Sequence, residues 1–186
     1  MNRRRFLHAV GGALVLAPSA TAAQSGTFMA ADDAPRVLFP EGSAVSKRII
    51  ALTPALQQDI LTRLGRRPSL WEEAYPIYAV TREGLPLGQV VIVEEIGKHR
   101  PITFAVGVEA SGAVHDIVVL AYREAYGGEI RDKRFLEQYR GKTMAAPMLP
   151  YRDIINISGA TMSVQATGQA GHKAVAVLLA LGDLAG

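Results

Sequence analysis

Between Tyr75 and Tyr122 the chain offers little besides β-strand, and this stretch most constrains the fold. Tyr75–Thr81 is a strand candidate that turns at Glu83-Gly84, and Leu87–Ile96 is rich in valine and isoleucine. Gly97-Lys98-His99-Arg100-Pro101 makes the next connection. Ile102, Phe104, Val106 and Val108 then alternate along the chain, so one face of that strand is buried. Ser111-Gly112 turns the chain into Val114–Tyr122. Strands joined by turns this short pair antiparallel, as a meander.

Helical signals flank the meander. Thr53-Pro54 gives an N-cap followed by proline in the first turn, Leu56, Ile60 and Leu64 form an apolar stripe, and Gly65 stops the helix. Arg36–Ile50, before it, is mixed in character and is expected to run extended along the core. Arg131–Tyr139 has the spacing of a short helix with Phe135 and Leu136 inward, ending at Gly141. Met144–Pro150 reads as an irregular loop, and Thr161–Leu184 has helical composition despite Gly168 and Gly171. The expected architecture is α+β: an antiparallel meander packed with helices, with a long helix at the C-terminal end.

The 186 residues are 49% hydrophobic and 20% charged, which suits one domain with a real core. The formal net charge of +3 comes from the leader, because residues 1–22 hold Arg3, Arg4 and Arg5 and no acid. The rest is balanced, so nothing in the charge points to nucleic acid. With no cysteine, thiolate catalysis, disulfides and Cys-ligated metals are excluded. His99, His115 and His172 are far apart in sequence and read as surface or core residues, not as metal ligands. No Gly-rich dinucleotide or nucleotide loop, zinc-protease motif or nucleophile elbow occurs, and no catalytic residue is assigned.

The start of the chain reads as an address. Arg3-Arg4-Arg5-Phe6-Leu7 precedes a short apolar run, and Ala20-Thr21-Ala22 is a small-x-small exit. Residues 1–22 are therefore expected to be a signal peptide of the twin-arginine type, with an ordinary secretory signal as the alternative. The mature protein is expected in the periplasm. Residues 23–35 read as a flexible tether, and 36–186 as a single domain.

One segment is not ordinary. In Ser158-Gly159-Ala160-Thr161-Met162-Ser163, an apolar β-like run (Ile154, Ile155, Ile157) enters a tight turn, and a helix starts near Thr161. A helix start offers free N–H groups and the positive end of the dipole, a ready place for a phosphate. Gly159 and Ala160 leave the backbone approachable. The plain alternative is N-capping by Ser158 or Thr161.

The hexapeptide resembles the flavinylation motif Ser/Thr-Gly-Ala-Ser/Thr-x-Ser/Thr of the FMN-binding domain family, whose members include the FMN-carrying subunits of sodium-pumping quinone reductases and Rnf complexes. Every motif position is met: Ser158, Gly159, Ala160, Thr161 and Ser163. The run Arg123-Glu124-Ala125-Tyr126-Gly127-Gly128-Glu129-Ile130, followed by Phe135-Leu136 and Gly141, resembles the family's loop, short helix and closing glycine. The likeness extends over about residues 75–180. One departure is Ile155, where many members have an acid; Asp153, two residues earlier, is the candidate substitute.

The resemblance implies FMN joined by a phosphoester to Thr161, put there by an FAD:protein FMN transferase whose metal belongs to the transferase. It implies an electron relay between a membrane-bound redox partner and an acceptor, more than a stand-alone enzyme. Gly127 and Gly128 would let backbone approach the flavin ring, Tyr126 would stack on or cover it, and Glu124 would bond near its edge or orient the loop. Each has a bland alternative: a turn glycine pair, a half-buried tyrosine, a surface acid. The rival functions are a flavin reductase with non-covalent flavin and a non-redox sensor or maturation module.

Overall fold

A computed structural model describes residues 25–184, so the expected signal peptide lies outside the described residues. Six strands form one fully antiparallel sheet in the order β1-β6-β5-β4-β3-β2. They are β1 (Gly26–Thr27), β2 (Ala44–Ala51), β3 (Ala74–Arg82), β4 (Leu85–Ile96), β5 (Pro101–Glu109) and β6 (Val114–Tyr122). The helices are α1 (Ala34–Leu38), α2 (Pro54–Leu64), α3 (Lys133–Leu136) and α4 (Thr161–Ala180). The α+β meander with a long C-terminal helix is thus the observed fold.

The meander β3–β6 follows the alternation of its residues. Tyr75, Ile77, Val91, Val93, Ile102, Phe104, Val106 and Ile117 turn to one face and form the main core with α4 and α2. The opposite face is covered too: Tyr78, Val80, Val90, Ile92, Ala105 and Leu120 pack with Ala34, Leu38 and Phe39 around α1. Val90 through Val93 therefore face two cores in turn, which is why β4 carries consecutive branched residues instead of an alternation.

Residues near the N-terminal end of the described chain are part of that second layer. Gly26 and Thr27 pair with Tyr122 and Ala121, and Phe28 N–H donates to Leu120 O at 2.8 Å. Asp32 accepts from Tyr78 Oη and from Lys47 Nζ, both at 2.6 Å. The stretch expected as a tether from 23 to 35 is built into the fold from Gly26 onward. Arg36–Ile50 likewise is not one extended run along the core: its start belongs to α1, and β2 is a mostly exposed edge strand paired to β3. An edge strand with little burial shows no apolar period, so sequence gives no register for it.

The helix α2 starts and stops where expected. Thr53 Oγ1 accepts from Leu56 N–H at 3.2 Å and Gly65 closes the helix at φ 62°. Ile60 is fully buried, and Leu56 and Leu64 are partly so. The stretch Arg131–Tyr139 is short helical turns, with α3 capped by Asp132 and with Phe135 and Leu136 buried.

Helix α4 lies across β4 and β5 and against α2. Thirteen of its twenty residues are buried, so it is wrapped on most sides and needs no amphipathic stripe. Its glycines make room for the loop before it. A Cβ at Gly168 would stand 1.9 Å from Met148 O, so the loop backbone lies directly on the helix. Lys173 is buried completely; its ammonium reaches Leu70 O at 2.7 Å, Glu94 O at 2.8 Å and the Glu72 carboxylate at 2.8 Å. Among the described residues, no helix is long and apolar enough to cross a membrane.

Candidate functional site

The approach to α4 is a wound turn, not a strand. Only an isolated bridge, Pro150 to Ile154, has β character. The expected β-like run Ile154–Ile157 is corrected accordingly: Ile154 is buried and Ile155 is 78% exposed. The turn closes around Asp153, whose carboxylate accepts from Leu149 N–H at 2.9 Å, Met148 N–H at 3.1 Å and Lys142 Nζ at 2.9 Å. Burial alone would raise the Asp153 pKa; Lys142 and the two N–H donors outweigh it and hold the carboxyl below its usual range. Asp153 is thus spent on the loop, and the polar group that reaches Thr161 is the amide of Asn156.

The turn Ile157–Ala160 then closes with Ala160 N–H donating to Ile157 O at 3.0 Å. Gly159 sits in it at φ 79°, a conformation costly for any residue with a Cβ, and a Cβ there would meet nothing within 4 Å. Helix α4 begins at Thr161 with Ala160 in the cap position and no side-chain cap. The capping alternative is therefore not realised by Ser158 or by Thr161. The Thr161 hydroxyl accepts instead from Asn156 Nδ2 at 2.9 Å. Ser163 is buried, and its hydroxyl pairs with Tyr122 Oη at 2.9 Å. The contrast with the Thr53 cap of α2 is direct: α4 leaves its first-turn N–H groups without a side-chain acceptor.

The loop after β6 forms the second wall. Tyr122 Oη, besides meeting Ser163, donates to Tyr126 O. Gly127 stands at φ 87°, and a Cβ on it would lie 2.8 Å from Tyr122 Oη, 2.9 Å from Ala160 Cβ and 3.3 Å from Ser163 Oγ. Gly127 therefore allows its loop to seat against the Ser158–Ser163 segment, and Gly128 is buried behind it. Tyr126 is 65% exposed. Glu124 is buried and turns the other way, accepting from His99 N–H and from Arg100 N–H at 2.8 Å. Burial pushes its pKa up, but the N–H donors of His99, Arg100 and Lys98 prevail and keep it lowered. Through these bonds Glu124 ties its loop to the β4–β5 connection.

Sequence reasoning missed Tyr122, Tyr151 and Asn156. Asn156 donates to Tyr151 Oη at 2.7 Å as well as to Thr161. Its only signal was a polar residue inside the apolar run 154–157. Tyr151, Arg152, Asn156 and Ser158 line an open groove of about 660 Å³ beside the motif. Tyr126, Tyr151, Ile155 and Met162 are large apolar or aromatic residues left exposed on these same segments. An uncapped helix start, a half-buried hydroxyl, open space at Gly159 and apolar surface alongside suit a ligand with a phosphate at one end and a flat ring at the other.

Comparison with known proteins bears on the same segments. The FMN-binding domain family matches residues 97–176, a span from the connection that Glu124 holds to the body of α4. No curated protein matches the chain. Among solved structures, the crystal structure of Shewanella oneidensis NqrC is similar in fold, with a TM-score of 0.55 and 16% identity over 80% of this chain and 86% of that one. Residues 97–176 are thus similar in sequence to the FMN-binding domain family, and most of the chain is similar in fold to NqrC.

Proposed function

We propose that this protein is an exported flavoprotein that carries FMN through a phosphoester on Thr161. In this reading it relays electrons between a membrane-bound redox partner and an acceptor. One observation carries the site: inside a segment matched to the FMN-binding domain family, the Thr161 hydroxyl stands at the start of an uncapped twenty-residue helix. Of the three hydroxyls in the motif, Ser163 is buried and bonded to Tyr122, and Ser158 lies on the turn before the helix. Thr161 alone joins partial exposure to the helix start.

Bound FMN supplies the redox chemistry, taking up an electron pair and giving electrons up singly. The chain's own part is to hold and surround it. The first-turn N–H groups of α4 would face the remaining phosphodiester charge, and Gly159 leaves it space, whereas Ala160 is buried against the Gly127 loop. Tyr126 and Tyr151 offer rings for the isoalloxazine to lie against. Gly127 and Gly128 set the loop that carries Tyr126, and Glu124 keeps that loop fixed to the neighbouring strand connection. Export rests on residues 1–22, whose basic start, apolar run and small-residue exit suit a twin-arginine signal. A covalent bond suits a compartment without a supply of free flavin.

The test is the intact mass of protein made together with a flavin transferase. The expected product is heavier by one FMN less one water, with fragments placing the addition on Thr161, and Thr161→Ala carries none. Flavin released by acid or heat would favour a non-covalent flavin reductase. A colourless, unmodified protein would return the chain to a non-redox sensor or maturation role.

A further inference from the structure

We infer that Asn156 is the positioning residue that presents the Thr161 hydroxyl for modification. The inference rests on the reading of Thr161 as the attachment residue. Threonine near a helix start has two competing habits: it splits between χ1 rotamers, and its hydroxyl bonds to nearby backbone. Either habit would turn the oxygen away from an incoming phosphorus. Here the hydroxyl accepts from Asn156 Nδ2 at 2.9 Å instead of bonding to nearby backbone. The same amide is steadied by Tyr151 Oη at 2.7 Å, at the groove beside the motif. Asn156 is half-buried, and its Oδ1 is fully enclosed without a partner, so the amide is held among these groups and not left to solvent.

The geometry fits a step in which Thr161 Oγ1 forms a bond to the phosphorus of the FMN half of flavin adenine dinucleotide. The pyrophosphate P–O bond breaks, AMP leaves with its electron pair, and the threonine proton passes to solvent. An amide is no base at neutral pH, so Asn156 does not take that proton. One of the threonine lone pairs is occupied by the amide N–H, which leaves the other lone pair and the O–H uncommitted. Losing a hydrogen bond that fixes an attacking group costs about tenfold in rate.

The experiment uses the full, unmodified protein with a flavin transferase, its divalent metal and flavin adenine dinucleotide, following intact mass over time at several protein concentrations. Asn156→Ala should lower the maximal rate about tenfold, with KM for the protein within about twofold and the melting temperature within about 2 °C. Tyr151→Phe, which leaves the Asn156–Thr161 bond in place, should lose no more than about threefold. Asn156→Ser, a smaller polar replacement, serves if the alanine variant does not fold and should be slowed as well. A folded Asn156→Ala protein modified at the wild-type rate overturns the inference, as does a lowered melting temperature with the rate unchanged. Wild-type protein that never gains flavin on Thr161 overturns the underlying reading and this inference with it. A wild-type protein that is modified beside an equally fast variant overturns only the role of Asn156.

Discussion

Replacing Gly168 by alanine sets two effects of known size against each other. In an open helix the change stabilises by about 1 kcal/mol, because glycine loses more backbone freedom than alanine on folding. Here the new Cβ would lie 1.9 Å from Met148 O and 3.0 Å from Met148 C. Backbone must move by more than an ångström to relieve that. Met148 also has little freedom to give, since its φ is 49° and its N–H is held by Asp153. Overpacking of this kind costs about 3 kcal/mol, the upper part of its usual range. The net is a loss of about 2 kcal/mol, or about 4–8 °C in melting temperature for a domain of this size. Gly171→Ala is the internal control. Its Cβ would meet Met148 Sδ at 3.0 Å, the far end of a flexible side chain that can swing aside. That variant should melt within about 3 °C of wild type, on either side. Thermal unfolding followed by circular dichroism reads both. If Gly168→Ala melts at or above Gly171→Ala, the loop is not seated on α4 as described.

Two further outcomes follow from the charged groups. Lys173→Ala removes the one cation paired with Glu72 among the described residues and takes from the buried Glu95 the ammonium 3.6 Å away, at a cost of about 3–5 kcal/mol; urea unfolding should show it, and a loss under about 1 kcal/mol would refute the buried pairing. Glu124 and Asp153 both have lowered pKa values in the fold, so the unfolded chain binds more protons as pH falls. Their contribution is whole above the unfolded values, 4.5 and 3.8, and is lost as pH drops through the lower folded ones. Melting temperature should therefore fall steeply below about pH 4.5, and less steeply in Glu124→Gln. Parallel acid limbs for wild type and variant would remove Glu124 from that account.

How much of this was legible in the sequence depends on where the signal lies. Ile102 to Val108, Thr53-Pro54 and Gly65 carry local rules, and each element formed where those rules put it. The edge strand β2 pairs on one side only and buries almost nothing, so no period marks it. Ile154, Ile155 and Ile157 looked like a strand because apolar residues cluster there; one fills the core, and Ile155 stands in solvent at the bend. At the site, the motif and its loop were readable as residues. Their mutual contacts were not, because Tyr122 to Ser163 and Gly127 to Ala160 arise only when β6 and α4 are brought together. The bonding of Asp153, the candidate stand-in acid, was hidden for the same reason: its partners Lys142 and Met148 are set by the loop's path, not by spacing from Thr161.

The buried ammonium of Lys173 has a bearing on modularity. Lys173 belongs to the stretch that bears the family likeness, residues 97–176, yet Leu70, Glu72, Glu94 and Glu95 all precede it. The inner neighbour of β5 is β4, which also precedes it. The recognisable segment is therefore not a portable unit. Cut out and fused elsewhere, it would carry a charge with no counter-ion in its core and a raw sheet edge open to other chains. A transplant of the matched segment has to begin upstream of Leu70, where the partners of its last helix are encoded.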